Sequence, residues 1–315
     1  MALSTNQVHI DKALSNLSIM YRNISYCADV ISPSVTVKFE SDRYYVYGKE
    51  HFKIPTALRR DKSETREITY SLSSDTYFCE EYGYHELISD RERANSDAAL
   101  NPEVDATEHI TETLLLDREY RVANLILDST NTQWGNYSST HFNNLANGWD
   151  DLATADPRSD LYHAKFVVYL DSRKQANTVF LPVEVAYQLA QMDQLEELRK
   201  YTDPGLLTDS GLPPKIFGLK VVECQSTYDA AADGVTEDLT ETWGVNVVVA
   251  YINPQPMGRK TLTFSLTFQT RPFEVRRWRE EKRRSDVVEV THIYDTRIIA
   301  PACGFVYTNT MTSAA

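Results

Sequence analysis

The pattern of apolar and polar residues predicts a chain that mixes helices with strands. The clearest helix signal follows Pro102, where acidic residues in the first turn favour the positive end of the helix dipole. Apolar side chains then recur in steps of four, three and four, at Leu116, Tyr120, Ala123 and Leu127. With an adjoining apolar strip they form a wide face, which predicts a helix to about residue 129 that packs on more than one side.

Strict alternation of apolar and hydroxyl-bearing residues predicts a half-buried antiparallel strand at residues 261–269. Two further strands, at residues 273–278 and 287–294, flank a charged turn at residues 279–286. Helices are predicted from about residue 160 and from Pro182 to the helix-stopping pair that starts at Pro204. Shorter strands are predicted at residues 35–39, 44–47, 67–72, 178–181, 219–223, 245–252, 297–300 and 305–307.

A polar and basic excursion, residues 49–62, separates two of the short predicted strands. Few of its residues could anchor a core of their own, and a long two-stranded excursion of this kind needs a partner surface to be stable. An ordinary surface hairpin accounts for the same pattern.

The net charge of the chain limits the functions that it could have. The 315 residues carry a formal net charge of −13, which argues against a protein that mainly grips nucleic-acid phosphates. Residues 80–128 hold thirteen acidic and four basic residues, whereas residues 271–284 hold seven basic and three acidic ones. Such blocks favour contacts between copies. A solvated acidic face and an unrelated basic turn would give the same counts.

The chain offers no constellation for catalysis, metal binding or cofactor binding. The segment from His85 to Ser89 has serine where a zinc protease needs its second histidine, and no nucleophile elbow or dinucleotide loop follows a strand. The four cysteines form no CxxC pair, so a zinc knuckle is not indicated and reduced thiols are the default expectation. No stretch approaches the roughly 20 apolar residues of a membrane helix, and no signal peptide is indicated. We therefore expect neither an enzyme nor a membrane protein.

The carboxyl-terminal third carries a specific resemblance. It contains Trp243-Gly244, the stretch VVVAYINP at residues 247–254, an aromatic strand, a charged turn and a closing run. The matching positions of that run are Ser285, Asp286, Val287, Val288, Val290, Tyr294, Asp295, Ile298, Ala300, Pro301 and Gly304. This order of elements, over nearly the whole chain, resembles the major capsid proteins of tailed bacteriophages with the Hong Kong 97-type fold.

The resemblance implies an α+β capsid fold with discontinuous domains. Its expected parts are an N-terminal arm (1–34), an extended β-hairpin loop (35–76), a peripheral domain with a long spine helix (77–129 and 271–309), an axial domain (130–270) and a C-terminal tail (310–315). The implied function is self-assembly, in the bacterial cytoplasm, of the icosahedral shell of the virion around double-stranded DNA. Pentamers and hexamers of the chain are the expected assemblies. Because a large N-terminal scaffolding extension is not evident, either a separate scaffolding protein or a short arm with a lesser role is expected, beside a portal.

Two contacts between copies are expected. The excursion would lie on an acidic surface of a neighbour, for which residues 80–128 are the candidate. Its contact residues would be Phe52, Lys53, Ile54, Arg59, Arg60 and Lys62. The charged turn would meet its counterparts near a local three-fold axis through Glu280, Glu281, Arg283 and Arg284.

Two other functions stay open at this stage. A tail-tube, decoration or adhesin-like subunit would also be rich in strands and in tyrosines, of which this chain has 19, but it would lack the long helix. A hydrolase with dispersed catalytic residues is a weaker alternative, since no nucleophile, base and orienting group can be nominated together.

Overall fold

The computed structural model of the protein describes most of the chain. The described residues are 9–10, 26–47, 72–95, 102–145, 147–151, 154–195, 207–232, 234–236, 238–254 and 262–311, with isolated positions between 54 and 68. The predicted N-terminal arm is described only at residues 9–10 and 26–34.

Helices and strands alternate irregularly along the chain. The helices are α1 (Ala28–Ile31), α2 (Asp90–Asn95), α3 (Pro102–Leu127), α4 (Pro157–Ser172) and α5 (Val183–Ala190). The strands are β1 (His9–Ile10), β2 (Ser34–Thr36), β3 (Ser41–Tyr47), β4 (Leu72–Phe78), β5 (Glu80–Ser89), β6 (Phe142–Asn144), β7 (Thr178–Pro182), β8 (Lys215–Ile216), β9 (Leu219–Cys224), β10 (Thr227–Asp229), β11 (Leu239–Glu241), β12 (Val247–Ala250), β13 (Ser265–Glu280), β14 (Ser285–Ile298) and β15 (Gly304–Thr308).

One sheet is built on the long antiparallel pair β13 and β14. Its order is β1-β13-β14-β5, and β2 pairs in parallel with β13. The two strands predicted at residues 261–269 and 273–278 are one strand, which starts at Ser265 and has register shifts between Gln269 and Glu274. β3 and β4 form a separate antiparallel ribbon that packs beside this sheet through Tyr44 and Tyr77.

A second sheet has the order β6-β15-β12-β7-β9-β8. α4 and α5 cover one of its faces, where Leu161, Val168 and Leu189 pack against Val179 and Phe305. The carboxyl-terminal half of α3 covers the other face, in a core centred on Trp134, Phe180 and Phe264. The sheet is therefore buried on both sides, which accounts for its nearly continuous apolar strands.

The long helix α3 confirms the sequence prediction within two residues at its carboxyl end. Its first half packs on β13 and β14 through Ala106, Ile110 and Leu114, and its second half packs on the other sheet through Val122 and Ile126. One helix thus joins the two cores, as the wide apolar face predicts.

The prediction that residues 261–269 form a half-buried strand is wrong, because both faces are covered from Ser265 to Phe268. Ser265 and Thr267 are fully buried although they stand on the polar face. Their hydroxyls donate to the carbonyls of Ile31 and Ser32, at 2.7 and 3.2 Å. Hydroxyl side chains can be buried once their hydrogen bonds are satisfied, so alternation alone does not reveal an exposed face.

Several predicted boundaries differ from the structure. The strand predicted at residues 67–72 begins only at Leu72, and the helix predicted to reach Pro204 ends at Ala190, with a further helical turn at residues 193–195. The ten-residue strand β5 was not predicted at all. Its residues are mostly polar and exposed, and it is held by pairing with the distant β14, a contact that a local pattern does not reveal.

The expectation that all cysteines are reduced thiols is also wrong. Cys27 and Cys224 form a disulfide, with Cα atoms 5.6 Å apart, whereas Cys79 and Cys303 are buried free thiols. The two bonded cysteines are separated by 197 residues, and the fold brings α1 against the end of β9. Sequence spacing carries no information about such a pairing.

Candidate functional site

The segment between β3 and β4, which contains the excursion at residues 49–62, exposes apolar side chains. Ile54 is 96% exposed and Leu58 is 84% exposed, and Ile68 is also exposed. Arg59 lies on the exposed surface beside Leu58. The other predicted contact residues of this segment, Phe52, Lys53, Arg60 and Lys62, lie outside the described residues. Apolar side chains held in solvent beside a cation are the composition expected of a segment that binds another surface.

An acidic groove of 380 Å³ lies between β5 and the amino-terminal ends of α2 and α3. Its lining residues are Glu86, Leu87, Ile88, Glu92, Pro102, Asp105, Ala106 and His109. Glu86 lies 3.5 Å from the imidazole of His109, and the first turn of α3 supplies Asp105. The groove thus combines three carboxylates with an apolar floor.

A capping box fixes one wall of this groove. Ser89 and Glu92 cap α2 reciprocally, since the Glu92 carboxylate accepts from the Ser89 N–H at 3.0 Å and the Glu92 N–H donates to the Ser89 hydroxyl at 3.2 Å. These hydrogen bonds hold the pKa of Glu92 below its usual value, so the carboxylate stays charged. The Ser-x-x-Glu spacing of Ser89 and Glu92 is the sequence signature from which this cap could have been predicted.

Other carboxylates among residues 80–128 form ion pairs within their own chain. Glu103 pairs with Arg93 and Arg277, and Asp117 pairs with Arg121. Only part of residues 80–128 is therefore an outward acidic surface, and the groove belongs to that part.

The charged turn between β13 and β14 occupies residues 281–284, shorter than predicted. Glu281, Arg283 and Arg284 are exposed there, and Arg283 lies 3.5 Å from Glu280 of the same chain. The backbone of Arg284 is left-handed, with φ of 46°, and its carbonyl accepts a hydrogen bond from the Asp90 N–H at 3.1 Å. The structure thus brings Glu280 and Arg283 together within one chain.

An ion-pair network braces the base of this turn. Its members are Asp90, Arg93, Glu103, Arg277, Arg279 and Asp286. Burial opposes the charge on Asp286, but the guanidinium groups of Arg93, Arg277 and Arg279 outweigh it and hold the pKa of Asp286 below its usual range. Asp90 and Arg93 belong to α2, so the network fastens that helix to the base of the turn.

Sequence reasoning missed the buried carboxylate of Glu119 on α3. It is completely buried and accepts hydrogen bonds from the N–H groups of Cys27 and Ala28, at 3.0 and 2.7 Å. The indole of Trp243 donates to it at 2.6 Å. Burial raises the pKa of Glu119, and these hydrogen bonds oppose the rise. One carboxylate therefore fastens the amino-terminal segment and the Trp243 loop to the long helix.

Several residues of the closing run, between Ser285 and Gly304, make contacts that stabilise the fold. The Asp295 carboxylate accepts from the Phe78 N–H at 2.9 Å and pairs with Arg297 at 2.7 Å. Gly304 lies against the ring of Phe264, so a Cβ atom at this position would overlap the ring. These contacts join β14 and β15 to their neighbours.

Neither a metal-binding cluster nor a membrane-spanning helix occurs among the described residues. They contain no group of three or more histidine, cysteine, aspartate or glutamate side chains that could hold a metal ion. No helix in this part of the chain is long and apolar enough to cross a membrane.

Known phage proteins resemble this chain in sequence and in fold. No protein-family model matches the chain. It is 27% identical over 267 residues to the major capsid protein of Pseudomonas phage JBD67, a match that covers 82% of each chain. It is 24% identical over 301 residues to the major capsid protein of Burkholderia phage BcepMu, with 94% and 95% of the two chains covered.

Solved structures show the same fold. A phage-related protein from Bordetella bronchiseptica RB50 has a TM-score of 0.72 at 18% identity, over 96% of this chain and 98% of that chain. The capsid of cyanophage P-SCSP1u has a TM-score of 0.63 at 11% identity, over 98% and 92%. The chain is thus similar in sequence to two phage major capsid proteins over most of its length, and it shares the fold of solved phage capsid structures.

Proposed function

We propose that this chain tiles the icosahedral shell of a tailed phage around double-stranded DNA, as pentamers and hexamers assembled in the bacterial cytoplasm. The observation that carries the proposal is the match to two major capsid proteins over most of both chains. Many identical copies can close a shell through heterologous contacts whose rotations form rings. The role is structural, and no catalytic step is part of it.

The fold is proposed to be of the Hong Kong 97 type. In this assignment α3 is the spine helix of the peripheral domain, residues 35–76 with β3 and most of β4 are the extended loop, and residues 130–270 form the axial domain. The way α3 bridges both cores supports the assignment. The long helix also disfavours the tail-tube or decoration alternative, which predicts none.

Bacterial expression of the full chain, alone and with the other head proteins of its phage, tests the proposal by negative-stain electron microscopy. Closed shells or curved sheets are expected. Tubes would favour a tail subunit instead, and dispersed monomers under both conditions would contradict the proposal.

The extended loop is proposed to bind the acidic groove of a neighbouring copy. Exposed Ile54 and Leu58 would provide apolar contact, while Arg59 and Arg60 would face Glu86 and Asp105. Charge would steer the loop, and desolvated apolar contacts would hold it.

Charge reversal tests this contact. Arg59→Glu with Arg60→Glu is expected to stop shell formation while the monomer keeps its circular dichroism spectrum and melting temperature. Adding Glu86→Lys and Asp105→Lys is expected to restore shells. Lys215→Glu with Lys220→Glu, an equal change in charge at exposed positions of β8 and β9, is the matched control and should assemble normally. Normal shells from the Arg59 and Arg60 variant would exclude the contact.

The turn at residues 281–284 is proposed to meet its counterparts near a local three-fold axis. There Arg283 and Arg284 would exchange ion pairs with Glu280 and Glu281 of adjacent copies. A cysteine at Lys282, crosslinked in intact shells, is expected to give trimers. Shells in which this cysteine never links two copies would exclude the arrangement.

A separate scaffolding protein and a portal are proposed partners. The net charge of −13 suits a container, because a negative shell encloses DNA without adhering to it.

A further inference from the structure

The exposed face of α4 carries an aromatic stripe. Leu161, Ala164 and Val168 turn inward to the core, whereas Tyr162, Phe166, Tyr169 and Leu170 are exposed on the opposite side. Their spacing of four, three and one residues places them on one face of the helix. Phe166 is 58% exposed, so its ring lies mostly in water. Contiguous exposed apolar side chains of this kind mark interaction sites on soluble proteins.

Cations border this stripe. The Lys165 ammonium lies 5.4 Å from the centre of the Tyr162 ring, and the Arg173 guanidinium lies 5.9 Å from the Tyr169 ring. Arg158 lies over the neighbouring ring of Phe217. The face is therefore both aromatic and positively charged, which favours an occupant with apolar and acidic side chains.

The hairpin of β10 and β11 has this complementary composition. Residues 227–241 contain five acidic residues and no basic residue. At the described positions, Val235 is 67% exposed and Leu239 is 70% exposed, and the carboxylates of Asp229 and Asp238 are also exposed.

The hairpin is held firmly at its base. Tyr228 meets Tyr120 of α3 edge to face, with ring centres 4.9 Å apart. The Asp229 carboxylate accepts the N–H groups of Ala231 and Asp238, both at 2.9 Å. A projection fixed in this way loses little conformational freedom when it binds.

We infer that the aromatic face of α4 binds the acidic hairpin of β10 and β11 from a neighbouring copy of this chain. Within one copy the two surfaces are different, since the stripe is the outward side of α4 and the hairpin contacts α3 through Tyr120. The contact is therefore heterologous, and repetition around an axis closes a ring. The inference rests on the proposed shell function, for which it supplies a contact within each ring.

Crosslinking of the full-length chain tests the inference. Phe166→Cys and Leu239→Cys are introduced together, shells are assembled, and a short bismaleimide is added. The free native cysteines, Cys79 and Cys303, are buried and so are shielded in the folded shell. Denaturing gels are expected to show a ladder that ends at pentamers and hexamers. Phe166→Cys paired with Ser129→Cys, an exposed position in the loop after α3, is the matched control and should give no ladder.

Each other result has a distinct meaning. Dimers from Phe166→Cys alone would show α4 faces pairing with one another and would overturn the inference. Intact shells without a ladder would also overturn it while leaving the shell function in place. Failure of the wild-type chain to form shells would contradict the shell function itself, and the inference with it.

A second measurement avoids dependence on the cysteine variants. Phe166→Asp and Leu239→Lys, each at an exposed position, are expected to leave the monomer's melting temperature unchanged. Each should raise the protein concentration needed for assembly at least about tenfold, the scale of one lost central contact. An unchanged assembly concentration for both variants would refute the contact.

Discussion

Glu119 shows how a single side chain organises distant segments. Its carboxylate satisfies three buried donors, two from the amino-terminal segment and one from Trp243. A buried N–H without an acceptor costs about 1–3 kcal/mol. Loss of this carboxylate leaves three such donors unpaired, and their free-energy costs add.

Glu119→Ala is therefore expected to lower the free energy of unfolding by at least about 3 kcal/mol, measured by urea denaturation of the unassembled chain. Glu108→Ala, on a partly exposed position of the same helix, should change it by less than about 0.5 kcal/mol. Equal effects of the two substitutions would show that the buried carboxylate has no special role.

His292 contributes a pH dependence. It is buried between the rings of Phe273 and Tyr294, with ring centres 4.5 and 4.6 Å away. Burial, aided by the charge of Arg118, lowers the pKa of His292 to about 3. The folded chain therefore keeps this imidazole neutral at pH values where the unfolded chain protonates it.

The free energy of unfolding should therefore fall as the pH falls. The contribution of His292 is fully present above pH of about 6.5 and is lost as the pH falls toward 3, by about 1.4 kcal/mol per pH unit. Urea denaturation between pH 7 and pH 5 should show this slope in the wild type and a flatter one in His292→Phe. Identical slopes would mean that other groups set the acid response.

At the scale of elements, the turn between β13 and β14 combines rigid support with local strain. Below it, Asp286 and its arginine partners fasten α2 to the two strands. At its end, Arg284 holds a left-handed backbone, which costs a non-glycine residue roughly 1–2 kcal/mol.

Arg284→Gly should affect the stability of the isolated chain and the formation of shells in different ways. Glycine adopts φ of 46° without strain, so the isolated chain is expected to be as stable as the wild type or more stable by about 1 kcal/mol. If the arginine pairs with a neighbour, shell formation will nevertheless weaken. Calorimetry and light scattering measure the two effects, and unaltered assembly would show that Arg284 is not a contact residue.

Elements with a strong local signal could be predicted from the sequence. α3 has an acidic amino-terminal turn and a wide apolar face, so its range was found almost completely. β5 was missed because its polar residues become a strand only through pairing with β14. The charged turn was visible as a charge block, but the ion pair of Arg279 with Asp90 joins positions 189 residues apart and could not be foreseen.

At the scale of the whole molecule, net charge and local charge act against each other. Copies with a formal charge of −13 repel at long range, whereas the proposed contacts bring opposite charges together at short range. The screening length falls from about 30 Å at 0.01 M salt to about 8 Å at 0.15 M and about 3 Å at 1 M.

Assembly is therefore expected to depend on salt in two phases. The concentration needed for shells should fall as salt rises to about 0.15 M, because repulsion between whole molecules is screened first. It should rise again toward about 1 M, where contact pairs are weakened too. Light scattering across this range measures it, and a steady change in one direction would contradict the two-phase expectation.

The amino-terminal segment is held by residues that are translated much later, so its native contacts cannot form until late in synthesis. α1 and β2 leave the ribosome early, yet their partners include Glu119, Trp243 and β13, which ends at Glu280. At 5–20 residues per second, translation from residue 27 to residue 267 takes roughly 10–50 s. Through that interval the apolar side chains of α1 and β2, such as Ile31 and Val35, lack the later residues that bury them in the folded chain. A nascent chain is therefore most exposed to aggregation just before its last strands emerge.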